Sequence, residues 1–161
     1  MQKQSFSEME CPIAQALEQI GEWWSLLILR DAMLGVRFFG EFEKRLGITP
    51  TTLTRRLQTL VEHGVLARRA CDERPPRDEY VLTEKGRQLF GIVVLLGGWG
   101  NTWIAGPGQE HLQFVDNETG APVDPVVVDR KTGARIDITS VRLAAGPKAR
   151  RRLLNRSSRG L

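Results

Sequence analysis

Four stretches in the first half of the chain repeat apolar residues every three or four positions. They run from Pro12 to Gly21, from Glu22 to Leu34, from Arg37 to Leu46 and over residues 50–63. This spacing lines one face of an α-helix and is typical of a helix that packs on a core. Glycine closes most of these stretches, as it commonly does at helix ends. The pattern therefore predicts four consecutive helices.

The third and fourth predicted helices are joined by a short turn that contains glycine. Gly47 ends the third helix, Thr49 can cap the fourth, and Pro50 occupies its first turn, where a missing N–H costs nothing. Two helices joined in this way form a helix-turn-helix. Hydroxyls near the start of the second helix suit base edges, and arginines one turn later suit phosphates. The candidate contacts, expected off the apolar stripe of that helix, are Thr51, Thr52, Arg55 and Arg56.

Two β-prone segments follow, from Val65 to Ala70 and from Glu79 to Leu82. They bracket a polar loop at residues 71–78, which Pro75 and Pro76 stiffen. A hairpin after a helix-turn-helix is a wing, and its arginines would reach a neighbouring groove or the phosphates beside it. Because side chains alternate along a strand, only one of the first two wing arginines is expected to point outward. The candidate wing contacts are Arg68, Arg69, Arg74 and Arg77.

A further helix is predicted from Thr83, its expected cap, and residues 88–109 carry no charged side chain. This stretch raises the question of a membrane span, since about 20 apolar residues suffice. Its glycines and Pro107 interrupt the apolar run, and no second span accompanies it. We therefore expect no membrane partner. The better interpretation is a helix buried against a second subunit, because one small domain cannot cover it on all sides.

Beyond Gly106 the pattern changes to a repeat. Residues 115–124 (VDNETGAPVD) recur as residues 128–137 (VDRKTGARID), each with Asp and Gly in a turn between β-prone residues, which predicts two small hairpins. The expected class is mainly α with a small β wing: a winged helix-turn-helix with a small C-terminal β-hairpin extension. The expected divisions are a flexible arm over residues 1–10, a winged helix with dimerisation helices over 11–105, a β-rich extension over 106–147 and a basic disordered tail over 148–161.

Charge is distributed unevenly along the chain. The net charge is +4, yet residues 44–77 alone sum to +5 and residues 148–161 to +6, whereas residues 1–36 sum to −3. A basic segment within an acidic body is typical of a surface that binds a polyanion such as DNA. The tail could add sequence-independent affinity for DNA. Two alternatives stay open: a solvated basic surface, and a winged-helix module that binds an acidic protein and has only non-specific DNA affinity.

Candidate chemistry of other kinds is sparse. Two cysteines and two histidines are too few for a disulfide framework or a cysteine-rich zinc site. The sequence contains no recognisable nucleophile–base set, phosphate-cradling glycine loop or carboxylate pair. We therefore expect no catalysis, no metal and no cofactor. Residues 1–5 lead into no apolar signal core, which favours a cytoplasmic protein.

Residues 11–105 contain a series of short motifs. In chain order they are CPI at 11–13, IGEWWSLLILRD at 20–31, RF at 37–38, LGI at 46–48, LTRRL at 53–57, LVEHG at 60–64 and RPPRDEYVLT at 74–83. In content and order this series resembles the HxlR-type winged-helix transcription regulators, relatives of the MarR group. The resemblance implies a homodimer, built from the N-terminal and last helices, that binds a two-fold operator in double-stranded DNA, more often as a repressor. Residues 50–63 would form the recognition helix.

The resemblance also implies two ways in which the protein could respond to a signal. Cys11 precedes a helix whose N–H groups and dipole favour a thiolate. Some HxlR-type proteins are similar here and use that cysteine to sense quinones, hypochlorite or aldehydes; the alternative is a small packed residue. In families of this kind an effector can lie between the dimer helix and the DNA-binding domain, so Trp99 and Trp103 are candidates for lining an effector pocket.

Overall fold

The computed structural model describes residues 5–6, 8–71, 77–144 and 146–147. The predictions for Arg74 and for the basic tail at residues 148–161 lie outside these described residues. The chain divides into two compact units, the first ending at Phe114 and the second beginning at Val115. The first unit holds the helices and the wing, and the second holds the repeated sequence.

The first unit is mainly helical and carries a two-stranded antiparallel sheet, so the predicted class is confirmed. Its strands are β1 (Leu66–Cys71) and β2 (Arg77–Leu82), with Leu66 opposite Leu82 and Cys71 opposite Arg77. Its helices are α1 (Pro12–Ile20), α2 (Trp23–Met33), α3 (Phe39–Leu46), α4 (Pro50–Glu62), α5 (Glu84–Arg87) and α6 (Phe90–Gly100), and α6 continues into a π-helical turn, Asn101–Ala105.

The third helix begins two residues later than the apolar spacing predicts. Arg37 and Phe38 are extended, and the Tyr80 N–H donates to the Arg37 carbonyl oxygen at 2.8 Å while Phe38 pairs with Glu79. The Glu41 carboxylate accepts the Phe38 N–H at 3.2 Å and so satisfies one backbone donor at the start of α3. These two residues lie extended beside β2 through one isolated β-bridge, because this pairing satisfies backbone groups that a first helical turn would leave open.

The core of the first unit lies where α2, α3 and α4 meet the base of the sheet. Full burial stabilises a large apolar side chain by about 1.5–3 kcal/mol. Intrinsic helix propensities of ordinary residues differ by less than about 0.7 kcal/mol. Burial in the core therefore contributes more to the stability of these helices than propensity does, and it determines which face of each helix points inward. The fully buried apolar residues are Ile28, Leu29, Phe42, Leu53, Leu57, Leu60, Val65 and Leu66.

A buried carboxylate joins α2 to α3. Asp31 has no exposed surface, and its two carboxylate oxygens accept from Arg30 Nε at 2.9 Å and from Arg45 Nε at 3.3 Å. A buried charge without partners would cost several kcal/mol. Arg45 therefore holds the end of α3 against α2 through Asp31.

The C-terminal end of α4 is held by the segment after the wing. Lys85 Nζ donates to the His63 carbonyl oxygen at 2.8 Å and to Gln19 Oε1 at 2.7 Å. A cation at this position satisfies a helix-terminal carbonyl and complements the helix dipole. Thr83 caps α5 as predicted, because its hydroxyl oxygen accepts the Gly86 N–H at 3.1 Å.

The charge-free stretch forms a helical segment that is exposed in the first unit. Glu84–Ala105 is long and apolar enough to cross a membrane by length and composition alone, and 11% of its apolar window is buried. Phe114 covers part of it, with its ring edge-to-face against Phe90 at 6.2 Å. The large apolar residues left exposed along it are Phe90, Ile92, Leu96, Trp99, Trp103 and Ile104.

The second unit repeats one turn. Asp116 Oδ1 accepts the backbone N–H groups of Glu118 at 3.1 Å and Thr119 at 2.8 Å, and Asp129 Oδ1 accepts two N–H groups in the second copy. The hydrogen bonds from Thr119 hold the pKa of the Asp116 carboxyl below its ordinary value. Gly120 has a φ of +68°, which an L side chain rarely adopts. The two predicted turns are present, and each closes a single strand-like bridge.

We predict that Gly86→Ala destabilises the first unit and that Gly91→Ala does not. A Cβ at Gly86 would lie 2.3 Å from the Val65 carbonyl oxygen, whereas a Cβ at Gly91 meets nothing within 4 Å. Urea unfolding should show a loss of about 1–3 kcal/mol for Gly86→Ala. Gly91→Ala in α6 should gain up to about 1 kcal/mol. Equal unfolding midpoints for the two variants would contradict this packing.

Candidate nucleic-acid interface

The helix α4 has one buried face and one exposed face. Leu53, Leu57 and Leu60 lie in the core. Four of its exposed side chains are spaced at i, i+3, i+4 and i+7, which places them in one row along the helix, and the exposed Glu62 follows one turn later. We call this row the α4 outer face: Thr51, Thr54, Arg55 and Gln58.

The start of α4 is held by a threonine cap. Thr49 Oγ1 accepts the Thr52 N–H at 3.4 Å and donates to Thr52 Oγ1 at 2.9 Å. Thr52 is therefore half-buried and engaged in the cap. Thr51 is exposed in the first turn, where the helix dipole favours an anion such as a phosphate.

Two predicted contacts of α4 lie on different sides of the helix. Arg55 is exposed and extends from the α4 outer face. Arg56 is 7% exposed and its Nη2 lies 2.9 Å from Glu22 Oε2. The expectation that Arg56 lies off the apolar stripe is wrong, because its position falls between Leu53 and Leu60 on the buried face. Glu22, distant in sequence, supplies the partner for its charge.

Thr54 and Gln58 belong to the α4 outer face and were absent from the sequence-based candidates. Gln58 Nε2 donates to Glu62 Oε1 at 2.9 Å, and both side chains are exposed at the surface. Helical spacing from Thr51 and Arg55 was the signal that could have found them, since positions three and four apart share a face.

The wing presents both of its first two arginines to solvent. Arg68 is ion-paired with Asp78, and that hydrogen bond raises the pKa of the Arg68 guanidinium. Arg69 lies opposite Glu79 and is exposed. The expectation that only one points outward is wrong, because this part of the two-stranded sheet projects beyond the core and neither face is covered.

Arg77 braces the wing at the loop end of its strands, opposite Cys71. Its guanidinium carbon lies 3.5 Å from the centroid of the Phe38 ring, a cation–π contact. Phe38 itself pairs with Glu79, whose carboxylate lies 3.6 Å from Arg37 Nη1. Arg77 is still exposed, so a phosphate could approach it from outside.

The remaining candidates lie away from α4 and the wing. Cys11 is half-buried at the N-terminus of α1 and is a free thiol. Trp99 and Trp103 are 56% and 74% exposed, one turn apart on the last helix. An open cavity of about 520 Å³ lies elsewhere, against Leu34 and Lys44. Within the described part of the chain, no three His, Cys, Asp or Glu side chains cluster closely enough to hold a metal ion.

Comparison with known proteins gives a consistent picture. The HxlR-like helix-turn-helix family matches residues 19–107. An uncharacterized helix-turn-helix transcriptional regulator of Mycobacterium tuberculosis, Rv3095, is 39% identical over 135 residues, covering 84% of this chain and 85% of that protein. The crystal structure of PA1607, a candidate transcription factor, superposes with a TM-score of 0.81 at 36% identity and covers 89% of this chain and 100% of that one.

A third similar structure is that of the redox regulator HypR in its oxidized form. It has a TM-score of 0.53 and 35% identity, and the match covers 56% of this chain and 94% of that one. The resemblance inferred from the sequence motifs is thereby confirmed. This chain belongs to the HxlR-like helix-turn-helix family and is a transcriptional regulator of the helix-turn-helix type.

Proposed function

We propose that this protein is a cytoplasmic repressor that binds a two-fold operator in double-stranded DNA as a homodimer and blocks access of the polymerase. The observation that carries the proposal is the α4 outer face: four polar side chains in one row, opposite a buried face formed by Leu53, Leu57 and Leu60 together with Arg56. A recognition helix needs such a rigid backing to present side chains to the major groove.

The α4 outer face has the chemistry for reading base pairs. An arginine donates two hydrogen bonds to guanine O6 and N7, and a glutamine pairs with adenine N6 and N7. Arg55 and Gln58 supply these groups, and the methyl groups of Thr51 and Thr54 suit thymine. Thr52, engaged in the cap, would hold the helix start in place.

The wing would add contacts to the DNA backbone. Arg69, and beside it Arg68, would meet phosphates next to the major groove, and Arg77 would do so while it braces the sheet. Such contacts fix register and add affinity without reading sequence. Arg74, at the tip of the sequence-predicted wing, is proposed for the same role.

We predict that Arg55→Ala weakens operator binding at least several-fold, because it removes a base or phosphate contact. Fluorescence anisotropy with the DNA upstream of the gene, at near-physiological salt, measures the loss. A scrambled duplex tests specificity, with an expected wild-type preference of about a thousand-fold or more.

The matched control for this prediction is Arg142→Ala, which removes the same charge from an exposed position in the second unit. It should leave the preference between the two duplexes unchanged. If Arg55→Ala binds the upstream DNA as tightly as Arg142→Ala, Arg55 does not contact the operator.

The dimer would form on the apolar residues that the first unit leaves uncovered. Besides those of the last helix, Ile13 and Leu17 on α1 are 64% and 47% exposed. Large contiguous apolar surface marks a contact with another molecule. A second copy fits best, because a two-fold operator needs two recognition helices in symmetric positions.

We predict that Leu96→Asp yields a folded monomer with weakened operator binding. Leu96 is already 50% exposed in one chain, so an aspartate there opposes association more than folding. Sedimentation equilibrium should give twice 18.1 kDa for the wild type and 18.1 kDa for the variant. Val123→Asp, at a 46% exposed position of the second unit, is the control and should stay dimeric. A monomeric wild type would contradict the dimer.

Regulation would act through Cys11 or through an effector against Trp99 and Trp103. Support for the cysteine comes from its place as a free thiol at the N-terminus of α1 and from the similarity to a redox regulator. The two indoles are exposed on the last helix, where an apolar effector could contact both.

For the cysteine we predict that hypochlorite changes operator affinity in the wild type and in Cys71→Ser, and that Cys11→Ser abolishes the change. Anisotropy titrations with and without the oxidant, each reversed by excess thiol, provide the measurement. An oxidant response that persists in Cys11→Ser would exclude this role for Cys11.

A further inference from the structure

A buried ion pair connects the recognition helix to the junction between α1 and α2. Arg56 Nη2 lies 2.9 Å from Glu22 Oε2, and the two side chains are 9% and 28% exposed. Among the described residues, Arg56 Nε has no hydrogen-bond partner although it is fully buried. Arg56 is therefore the charged member of an otherwise apolar face of α4.

Glu22 is held in place by the tight corner that surrounds it. It directly precedes α2, and the Ser25 N–H donates to its carbonyl oxygen at 2.8 Å. Gly21, one residue earlier, packs so closely on α1 that a Cβ there would lie 2.4 Å from the Leu17 carbonyl oxygen. The carboxylate that binds Arg56 thus belongs to a rigid turn of backbone, not to a mobile loop.

The ion pair between Arg56 and Glu22 contributes more to the orientation of α4 than to the stability of the fold. Replacing a buried ion pair with apolar side chains of similar size is often neutral or stabilising, since desolvation offsets the attraction. The buried Arg56 Nε–H group, which has no hydrogen-bond partner among the described residues, reduces the net stabilisation by the ion pair further. A charged hydrogen bond to a fixed carboxylate does, however, add a directional restraint on the rotation of α4 about its axis, besides that of the leucine packing.

Rotation of α4 is the motion that base reading cannot tolerate. Arg55 is the neighbour of Arg56, so both turn together with the helix backbone. A rotation of 10° would move the Arg55 guanidinium by about 1 Å, given its distance from the helix axis. Hydrogen-bond distances to a base edge vary by only about half that amount.

We propose that Arg56 is a positioning residue: through Glu22 it fixes the rotation of α4, and with it the sequence preference of the regulator, without touching DNA. This inference rests on the proposed operator binding. Contacts to phosphates accept small displacements, because an arginine can follow a phosphate oxygen. Contacts to a base edge use two hydrogen bonds in a fixed geometry and do not accept such displacements. The loss of the Arg56–Glu22 ion pair should therefore lower specific binding to DNA far more than non-specific binding.

The test uses the double variant Glu22→Gln/Arg56→Met in the full chain. The glutamine keeps the length of Glu22, and the methionine keeps the apolar stem of Arg56 without leaving a buried charge. Urea unfolding measures stability, and anisotropy on the upstream and the scrambled duplex measures preference. We expect an unfolding midpoint near that of the wild type, unchanged affinity for the scrambled duplex and a preference reduced ten-fold or more.

A wild-type preference in the double variant would overturn the proposal. An equal loss on both duplexes would overturn it as well, since that result assigns Arg56 to general affinity. Should the double variant fail to fold, Glu22→Asp replaces it: the carboxylate is kept but withdrawn by one methylene. A folded Glu22→Asp protein with full preference overturns the proposal, and one with reduced preference supports it.

The wild-type titration separates this proposal from the function on which it rests. A wild-type protein that binds both duplexes equally overturns operator reading and positioning together. A wild-type preference that survives in the variants overturns positioning alone.

Discussion

Leu53, Leu57 and Leu60 are fully buried in the same core as Ile28 and Phe42, and this packing determines which side of α4 meets solvent. The proposed DNA-reading face of α4 depends on it. With the leucines inside, the outer row is presented to solvent as a set, and Arg56 is drawn into the interior beside them. Packing of the core thus determines which residues of α4 are available to contact DNA.

Two further contacts hold the ends of this arrangement. At the N-terminal side, the Thr49 cap sets where α4 begins. At the C-terminal side, Lys85 donates to the His63 carbonyl oxygen and joins α4 to the segment after the wing. Because that segment leads into the exposed apolar helix, the proposed reading surface and the proposed dimer surface belong to one continuous scaffold.

Much of this fold could be predicted from the sequence, since helical spacing, caps and the wing prolines act locally. Two of the errors have different causes. Helical spacing from Leu53 and Leu60 already places Arg56 on the buried face, and only the partner of its charge, Glu22, is distant in sequence. Pairing with β2, which is not local, explains why Arg37 and Phe38 are extended. The alternation of side chains along a strand can be predicted locally, but whether a face of the sheet is covered depends on distant parts of the chain. Neither face is covered at Arg68 and Arg69, so both are exposed.

The most direct test of a DNA-reading face on α4 is an amide NMR titration of the full chain with the upstream duplex. We expect the largest shift changes at Thr51, Thr54, Arg55 and Gln58 and in the exposed strands of the wing. Shifts concentrated in the second unit or in the last helix, with α4 unaffected, would contradict it.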